Sequence, residues 1–363
     1  MDRTLYVIYG NDGKSMVKQL LKQVNPFKNL SKNASIALKP NLVVAKSPET
    51  GATTDIGMIM GIIEFLKDYG FNDISIMEGS WVGDSTARAY RLLGYEDISK
   101  RYGVKLYDLK KDSYKVYDVD NMSIKVCDKP MSADYLINLP VLKAHCQTRL
   151  TCALKNLKGC IPDEEKRRFH TLGIHRPVAY LNKILRPSLH IVDGIIGDLT
   201  FEEGGTPVNM NRIIMGYDPV LIDTYAAQII GYDYHDIGYI PIAESIGVGS
   251  ADIQNADIVQ INEPVGLTGD IYHSRKVDRL ARYINEREAC SACYGSLIHA
   301  LERLDEKGLL DRFKEGAICI GQGFKGVAGD GVGVGRCTSE FNSYVDGCPP
   351  VASRIVDFLS TKI

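Results

Sequence analysis

The sequence predicts an α/β protein built on an open, mostly parallel, doubly wound sheet, followed by a small carboxy-terminal α/β domain. Two observations carry this. Short β-rich runs alternate with amphipathic helical patterns from the start of the chain to about residue 250, the order expected of parallel strands joined by crossover helices. The final stretch changes character, with glycine-rich loops and a spaced set of cysteines. At 363 residues the chain exceeds one minimal core and suits one large or two domains. The charged stretch 262–287, with little periodicity beyond a possible helix, gives the expected division into domains 1–285 and 286–363.

The elements follow in order. Leu5–Tyr9 reads as the first strand, and Met16, Leu20, Leu21 and Val24 mark one face of the helix after it. Ser35–Leu38 is the next strand. A helix follows from Asp55, with Thr53 or Thr54 available as its cap and Ile59, Ile62, Ile63 and Leu66 on one face. Ile74–Met77 is a strand and Ser85–Leu93 a helix closed by Gly94, while the alternating stretch Tyr114–Val126 reads as an inserted hairpin. Further strands are expected at Tyr135–Leu139, Leu189–Val192, Arg212–Met215 and Ala317–Ile320, with a helix through Leu221–Ile230.

Charge is nearly balanced at −2, which leaves no basic footprint for nucleic acid or an anionic membrane. No apolar run reaches bilayer length, and the amino terminus reads as a strand rather than a signal peptide. A soluble, cytoplasmic protein is expected. Its nine cysteines are then ligands or free thiols rather than disulfides.

In open parallel sheets, ligands bind beyond the carboxyl ends of the strands. Lys39-Pro40-Asn41, Glu78-Gly79-Ser80, Pro140-Val141-Leu142-Lys143 and Asp193-Gly194 all fall at such ends. The window from His145 to His175 adds Cys146, Cys152, Lys155, Lys158, Cys160 and His170. Imidazole titrates near neutrality, and a lysine beside another cation has a lowered pKa and can act as base or nucleophile. Lys39, His145 and Lys155 are therefore the candidate catalytic groups of an anion-binding pocket, with Asn41, Glu78, Lys143 and Asp193 as substrate-binding candidates. The helix carrying Lys155 is expected to begin near Leu150. Lys166-Arg167-Arg168 reads as a solvated loop, and Cys127, Cys146, Cys152 and Cys160 as small buried hydrophobes rather than a second metal group.

The carboxy-terminal cysteines are more specific. Cys290-Ser291-Ala292-Cys293 opens a helix, Gly335-Arg336-Cys337 lies in a glycine-rich loop, and Gly347-Cys348-Pro349-Pro350 precedes another helix. Four soft thiolates suit a 4Fe-4S cluster or a zinc ion. Structural zinc sites usually show two short pairs, whereas one pair followed by two single cysteines suits a cluster better. Incidental buried cysteines are the remaining alternative, and Cys319 could substitute if one of the four does not bind.

Two nucleotide motifs fail on context. Gly10-Asn11-Asp12-Gly13-Lys14-Ser15 has Ile8 where a phosphate loop needs its first glycine, although a monophosphate or carboxylate could rest on those helix amides. Gly321-Gln322-Gly323-Phe324-Lys325-Gly326 has the letters of a dinucleotide fingerprint. It runs, however, into Val327–Gly335, too rich in glycine for a helix and read as flexible backbone around the cluster.

These motifs carry resemblances. Lys39-Pro40-Asn41, Glu78-Gly79, Leu139–His145, Ala153–Gly159, Val192-Asp193-Gly194 and Ile222-Asp223-Thr224 resemble the recurrent motifs of domain-of-unknown-function family 362 over roughly residues 1 to 250. That resemblance implies a prokaryotic, often anaerobic protein whose relatives commonly carry iron–sulfur domains; it implies no reaction. The cysteine segments, with Tyr344-Val345-Asp346-Gly347-Cys348-Pro349-Pro350, resemble the cluster-binding part of nickel–iron hydrogenase small subunits and the matching subunit of respiratory complex I. The order His145, Lys155 and a later histidine is similar to nickel-pincer lactate racemases, in which lysine and histidine hold the cofactor, without their intervening glycine-rich motif.

Three functions compete. The first is a redox or electron-transfer protein, working with a redox partner protein or a small anionic substrate. The second is a non-redox lyase, isomerase or racemase-like enzyme with a structural cluster, and the third a carrier or assembly factor for metal or cluster.

Overall fold

The computed structural model describes residues 2–199, 207–264 and 276–362. It divides into two compact units, residues 1–166 with 175–273, and residues 167–174 with 274–363. The expected stretch 262–287 lies partly outside the described residues.

The strands of the larger unit are β1 (Thr4–Tyr9), β2 (Ile36–Pro40), β3 (Ile74–Glu78), β4 (Lys105–Asp108), β5 (Tyr114–Val119), β6 (Met122–Cys127), β7 (Tyr135–Leu139), β8 (Lys143–His145), β9 (Arg149–Thr151), β10 (Leu189–Asp198), β11 (Pro207–Gly216) and β12 (Asp257–Gln260). Helices α1 (Gly13–Val24), α2 (Ile56–Asp68), α3 (Thr86–Leu92), α4 (Tyr95–Tyr102), α5 (Asp128–Ser132), α6 (Ala153–Asn156), α7 (Asp163–Thr171, whose residues after 166 are grouped with the smaller unit), α8 (His175–Ile184), α9 (Pro219–Ile229) and α10 (Tyr239–Ser245) run between them.

Eight strands form one sheet in the order β12-β1-β11-β10-β7-β2-β3-β4. Only β11 runs against the rest, pairing antiparallel with both β1 and β10. The mostly parallel doubly wound sheet expected from the sequence is therefore the fold. Residues Tyr114 to Cys127 form the expected hairpin, β5 with β6.

The core follows the sequence pattern. Met16, Leu20 and Leu21 of α1 and Ile59, Ile62, Ile63 and Leu66 of α2 are buried in one cluster with Leu38, Ile76, Ile137 and Ile191 of the sheet. Asp55, rather than Thr53 or Thr54, caps α2, its carboxylate accepting from the Met58 amide at 2.8 Å. The threonines serve the sheet edge instead: Thr54 Oγ1 donates to the Leu139 carbonyl and accepts from the Asn41 amide, both at 2.8 Å. At α1 the Asp12 carboxylate takes the Lys14 and Ser15 amides at 3.1 and 3.2 Å. The amides considered for a phosphate or carboxylate are thus already capped by the chain itself.

The smaller unit adds α11 (Lys276–Ala281), β13 (Ile284–Glu286), α12 (Ser291–Glu306), β14 (Ile318–Ile320), β15 (Gly329–Val334), β16 (Phe341–Val345) and α13 (Ala352–Ser360). Its four strands lie in sequence order, all parallel. Because β13 pairs with β14, this unit reaches upstream of the expected boundary at residue 286.

The run Val327–Gly335 departs from expectation. Instead of flexible backbone it holds β15, whose alternate glycines make room for neighbouring side chains. A Cβ at Gly329 would lie 2.6 Å from the Phe341 ring, and one at Gly333 would lie 2.5 Å from Thr338 Oγ1 and 2.7 Å from its Cβ. We predict that Gly333→Ala destabilises the protein by about 1–3 kcal/mol in urea denaturation, the usual range for overpacking. Gly295→Ala, on α12 with nothing within 4 Å of the new methyl, should be neutral or stabilising.

Candidate functional site

The geometry of the larger sheet singles out one edge. From β2 the chain steps to β3 and β4 on one side, then returns to β7 and β10 on the other. The carboxyl ends of β2 and β7 therefore lie at a topological switch point, where open α/β sheets bind their ligands. Lys39 pairs in register with Asn138, and Pro40 with Leu139.

Lys39 is fully buried. Its ammonium donates to Glu78 at 2.7 Å, the Pro40 carbonyl at 3.0 Å and Asn156 Oδ1 at 3.3 Å, which uses all three of its protons. Glu78 also accepts from the amides of Leu42 and Gly79 at 3.2 and 2.7 Å. Gly159 leans on this pair so closely that a Cβ would sit 1.9 Å from Glu78 Oε1. The structure thus joins a candidate catalytic lysine to a candidate ligand-binding glutamate in a neutralised ion pair. Lys143 is also fully buried, and its ammonium donates to the Ala52 carbonyl at 2.5 Å and to Asn41 Oδ1 at 3.3 Å. Asp193 accepts from the Asp55 and Ile195 amides at 2.7 and 3.0 Å. Burial, with the Asp55 charge added, lifts its carboxyl to about 7.

His145 and Lys155 belong to a second group, built on the β8–β9 hairpin and the turn after it. His145 Nδ1 accepts from the Gln147 and Thr148 amides at 3.0 and 3.1 Å. In the neutral ring the proton is therefore on Nε2. Lys155 lies on the single turn of α6, not on a helix from Leu150, because β9 occupies Arg149–Thr151; its ammonium donates to Thr151 Oγ1 at 3.1 Å. Arg149 pairs opposite His145 with a left-handed φ of 65°. The His175 ring stacks on Tyr239, and burial, followed by the Arg149 and Lys155 charges, pulls its pKa down. Arg149 itself is ion-paired with Asp236 at 3.1 Å, and the lowered pKa favours the neutral His175 ring.

Three residues have roles that the sequence reading missed. Asp223 accepts the Ala153 and Leu154 amides at 2.7 and 3.1 Å and the Cys152 thiol, anchoring the start of α6 two residues before Lys155. The signal available was the Ile222-Asp223-Thr224 motif. Arg149 carried no signal beyond its place after a turn. Lys166 is not on a solvated loop: its buried ammonium donates to the carbonyls of Gly79 and Ser80 at 3.1 and 2.8 Å and to Asp163 at 3.0 Å. Cys127, Cys152 and Cys160 are buried, and burial raises all three thiols.

In the smaller unit the candidate ligands follow the carboxyl ends of parallel strands. Cys290 and Cys293 come after β13, at the head of α12; Cys337 follows β15 and Cys348 follows β16. Burial, and then the charges of Cys290, Cys348 and Cys337, push the Cys293 thiol up to about 12. All four thus follow strand ends of the same parallel sheet. Among the described residues, no group of three or more His, Cys, Asp or Glu side chains is arranged to hold a single metal ion. Four soft thiolates are a donor set that a 4Fe-4S cluster or a zinc ion takes. Cys319 lies on β14 itself, packed with Phe324 and Phe341.

With this geometry in place, the comparisons are direct. The profile described as "Domain of unknown function (DUF362)" matches residues 36–228. The chain belongs to the DUF362 family. A thylakoid-associated protein, sll1697 of Synechocystis sp., is 24% identical over 225 residues, covering 59% of this chain and 68% of that protein. Two solved structures are more distant. The lactate racemase apoprotein of Thermoanaerobacterium thermosaccharolyticum has a TM-score of 0.43 at 12% identity, covering 62% of this chain. A Thermotoga maritima protein from a structural genomics programme has a TM-score of 0.39 at 13% identity, covering 65% of this chain. The match spans 57% and 60% of those two chains. The DUF362 match contains every candidate residue of the larger unit and none of the four carboxy-terminal cysteines. Among the described residues, no helix is long and apolar enough to cross a membrane.

Lys39→Met should cost about 3–5 kcal/mol in urea unfolding, because it leaves Glu78 buried and unpaired; Lys39→Met with Glu78→Leu should recover much of that loss. Asp223 gives a pH signature. Burial raises its carboxyl from 3.8 to about 7, so the folded state holds a proton that the unfolded chain has released. Its stabilising contribution is present at low pH and is lost as pH rises to 7. The stability of the unsubstituted protein relative to Asp223→Asn should therefore shrink between about pH 4.5 and about pH 7, by up to about 1.4 kcal/mol per pH unit. A difference that stays constant over that range would contradict the assignment.

Proposed function

We propose that this DUF362 chain is an iron–sulfur protein of redox or electron-transfer function. Cys290, Cys293, Cys337 and Cys348 would hold one 4Fe-4S cluster, and the larger unit would carry a site for a small anion. The observation that supports this most is the placement of all four cysteines beyond strand ends of one parallel sheet. A 4Fe-4S cluster supplies one-electron transfer when bound.

The chain's own residues would prepare that position. Cys290 stands in extended backbone just before α12 and Cys293 one turn inside it, which brings a pair of sulfurs to one side. Gly335 and Gly347, with φ of 89° and 151°, turn the chain just before Cys337 and Cys348. Mutual repulsion among ionised thiols would be relieved by a cationic iron core, as expected for metal sites that couple ligand deprotonation to binding. On the larger unit, Lys155 would supply the charge that attracts a carboxylate or similar anion, beside the neutral His175 ring. His145 would present its Nε2 proton, and Asp223 would hold the turn that carries Lys155.

Anaerobic purification, iron and sulfide analysis, and paramagnetic resonance before and after dithionite test this reading. About four irons and four sulfides per chain are expected, with a signal on reduction, and Cys348→Ala should lose or convert the centre. Zinc in place of iron, or unchanged iron in Cys348→Ala, would overturn it. A cluster that stays silent on reduction would point instead to a structural centre beside a non-redox enzyme site. For the larger unit, Lys155→Met should abolish calorimetric binding of small carboxylates while iron content stays unchanged.

A further inference from the structure

Three of the four parallel strands in the smaller unit lead into a candidate cysteine ligand. The fourth, β14, ends in Gly321-Gln322-Gly323-Phe324-Lys325. This loop is pressed against the segment leading to Cys290. The Gln322 amide donates to the Glu288 carbonyl at 3.1 Å and the Gly323 amide to the Arg287 carbonyl at 3.0 Å. A Cβ at Gly321 would lie 1.9 Å from that same Arg287 oxygen, so only glycine fits. Held in this way, the Gln322 side chain points Nε2 at the Cys290 sulfur, 3.5 Å away, while its Oε1 accepts from the Lys325 ammonium at 3.2 Å. Burial raises the Cys337 thiol, and the Lys325 charge works against that rise.

We propose that Gln322 and Lys325 form a hydrogen-bond and charge relay that sets the reduction potential of the centre held by the four cysteines. The proposal rests on the iron–sulfur reading and adds to it the residues that regulate the same site. One-electron reduction places extra negative charge on the sulfurs. A donor amide at Cys290, polarised by an ammonium behind it, stabilises that added charge and makes reduction easier, and so does the ammonium's field at Cys337. Lys325 is exposed, so its share is screened by salt, whereas the shorter-range amide contact is screened less.

Potentiometric titration with dithionite and viologen mediators, followed by paramagnetic resonance on the full anaerobic chain, tests the relay. Gln322→Ala and Lys325→Met should each move the potential to more negative values, with Lys325→Arg close to the unsubstituted protein. The Lys325→Met shift should shrink as ionic strength rises. Iron and sulfide content read alongside separates tuning from loss of the centre. Should Gln322→Ala lose iron, Gln322→Met, which keeps the side chain's bulk and removes the donor, carries the test. Unshifted potentials in variants with full iron and sulfide would overturn the relay. An unsubstituted chain without iron would overturn the iron–sulfur reading beneath it.

Discussion

The buried Lys39–Glu78 ion pair is the constraint on which the switch-point edge of the larger unit depends. Removing two charges from water is tolerated only when every proton and lone pair finds a partner. Here the partners come from β2, β3, α6 and the segments after them: Pro40, Leu42, Gly79 and Asn156. Asn156 continues the network to Asn138 at 2.8 Å, and Asn138 to His190 at 3.1 Å. Burial alone drives the His190 imidazole down to about 3, so it stays neutral. Pairing charge with charge, and amide with neutral ring, leaves little freedom for the edge to rearrange. Lys39 thereby fixes the frame of the edge.

Both units use the carboxyl ends of parallel strands, with different chemistry at those ends. In the larger unit the ends carry amides, carboxylates and ammonium groups that satisfy one another. In the smaller unit they lead into the thiols of Cys290, Cys293, Cys337 and Cys348. The glycines of β15 leave room for neighbouring side chains: a Cβ at Gly329 would meet Phe341, and one at Gly333 would meet Thr338.

Much of this was legible in the sequence because parallel strands are buried on both faces and read as apolar runs with sharp ends. Leu5–Tyr9, Tyr135–Leu139 and the hairpin from Tyr114 stand where the pattern puts them. Segments such as Lys39-Pro40-Asn41 and Glu78-Gly79 were visible as strand ends. Which charges would neutralise each other was not, since the Lys39–Glu78 pair spans 39 residues and depends on strand order. Lys166 misled for a related reason: a run of three basic residues looks solvated, yet carbonyls of the turn after β3 draw one of them inside. The glycine-rich segment read as loop because glycine disfavours strands intrinsically. Its place in β15 comes from close packing, which a single sequence does not display.

A single four-iron centre held by Cys290, Cys293, Cys337 and Cys348 is the central proposal. Mössbauer spectroscopy of chain grown on isotope-enriched iron and purified without oxygen measures this for every iron present. The account predicts one species with the spectrum of a four-iron cubane, lost or converted when Cys293 is replaced by alanine. Absence of iron, or a spectrum of isolated mononuclear iron unaffected by that substitution, would contradict it.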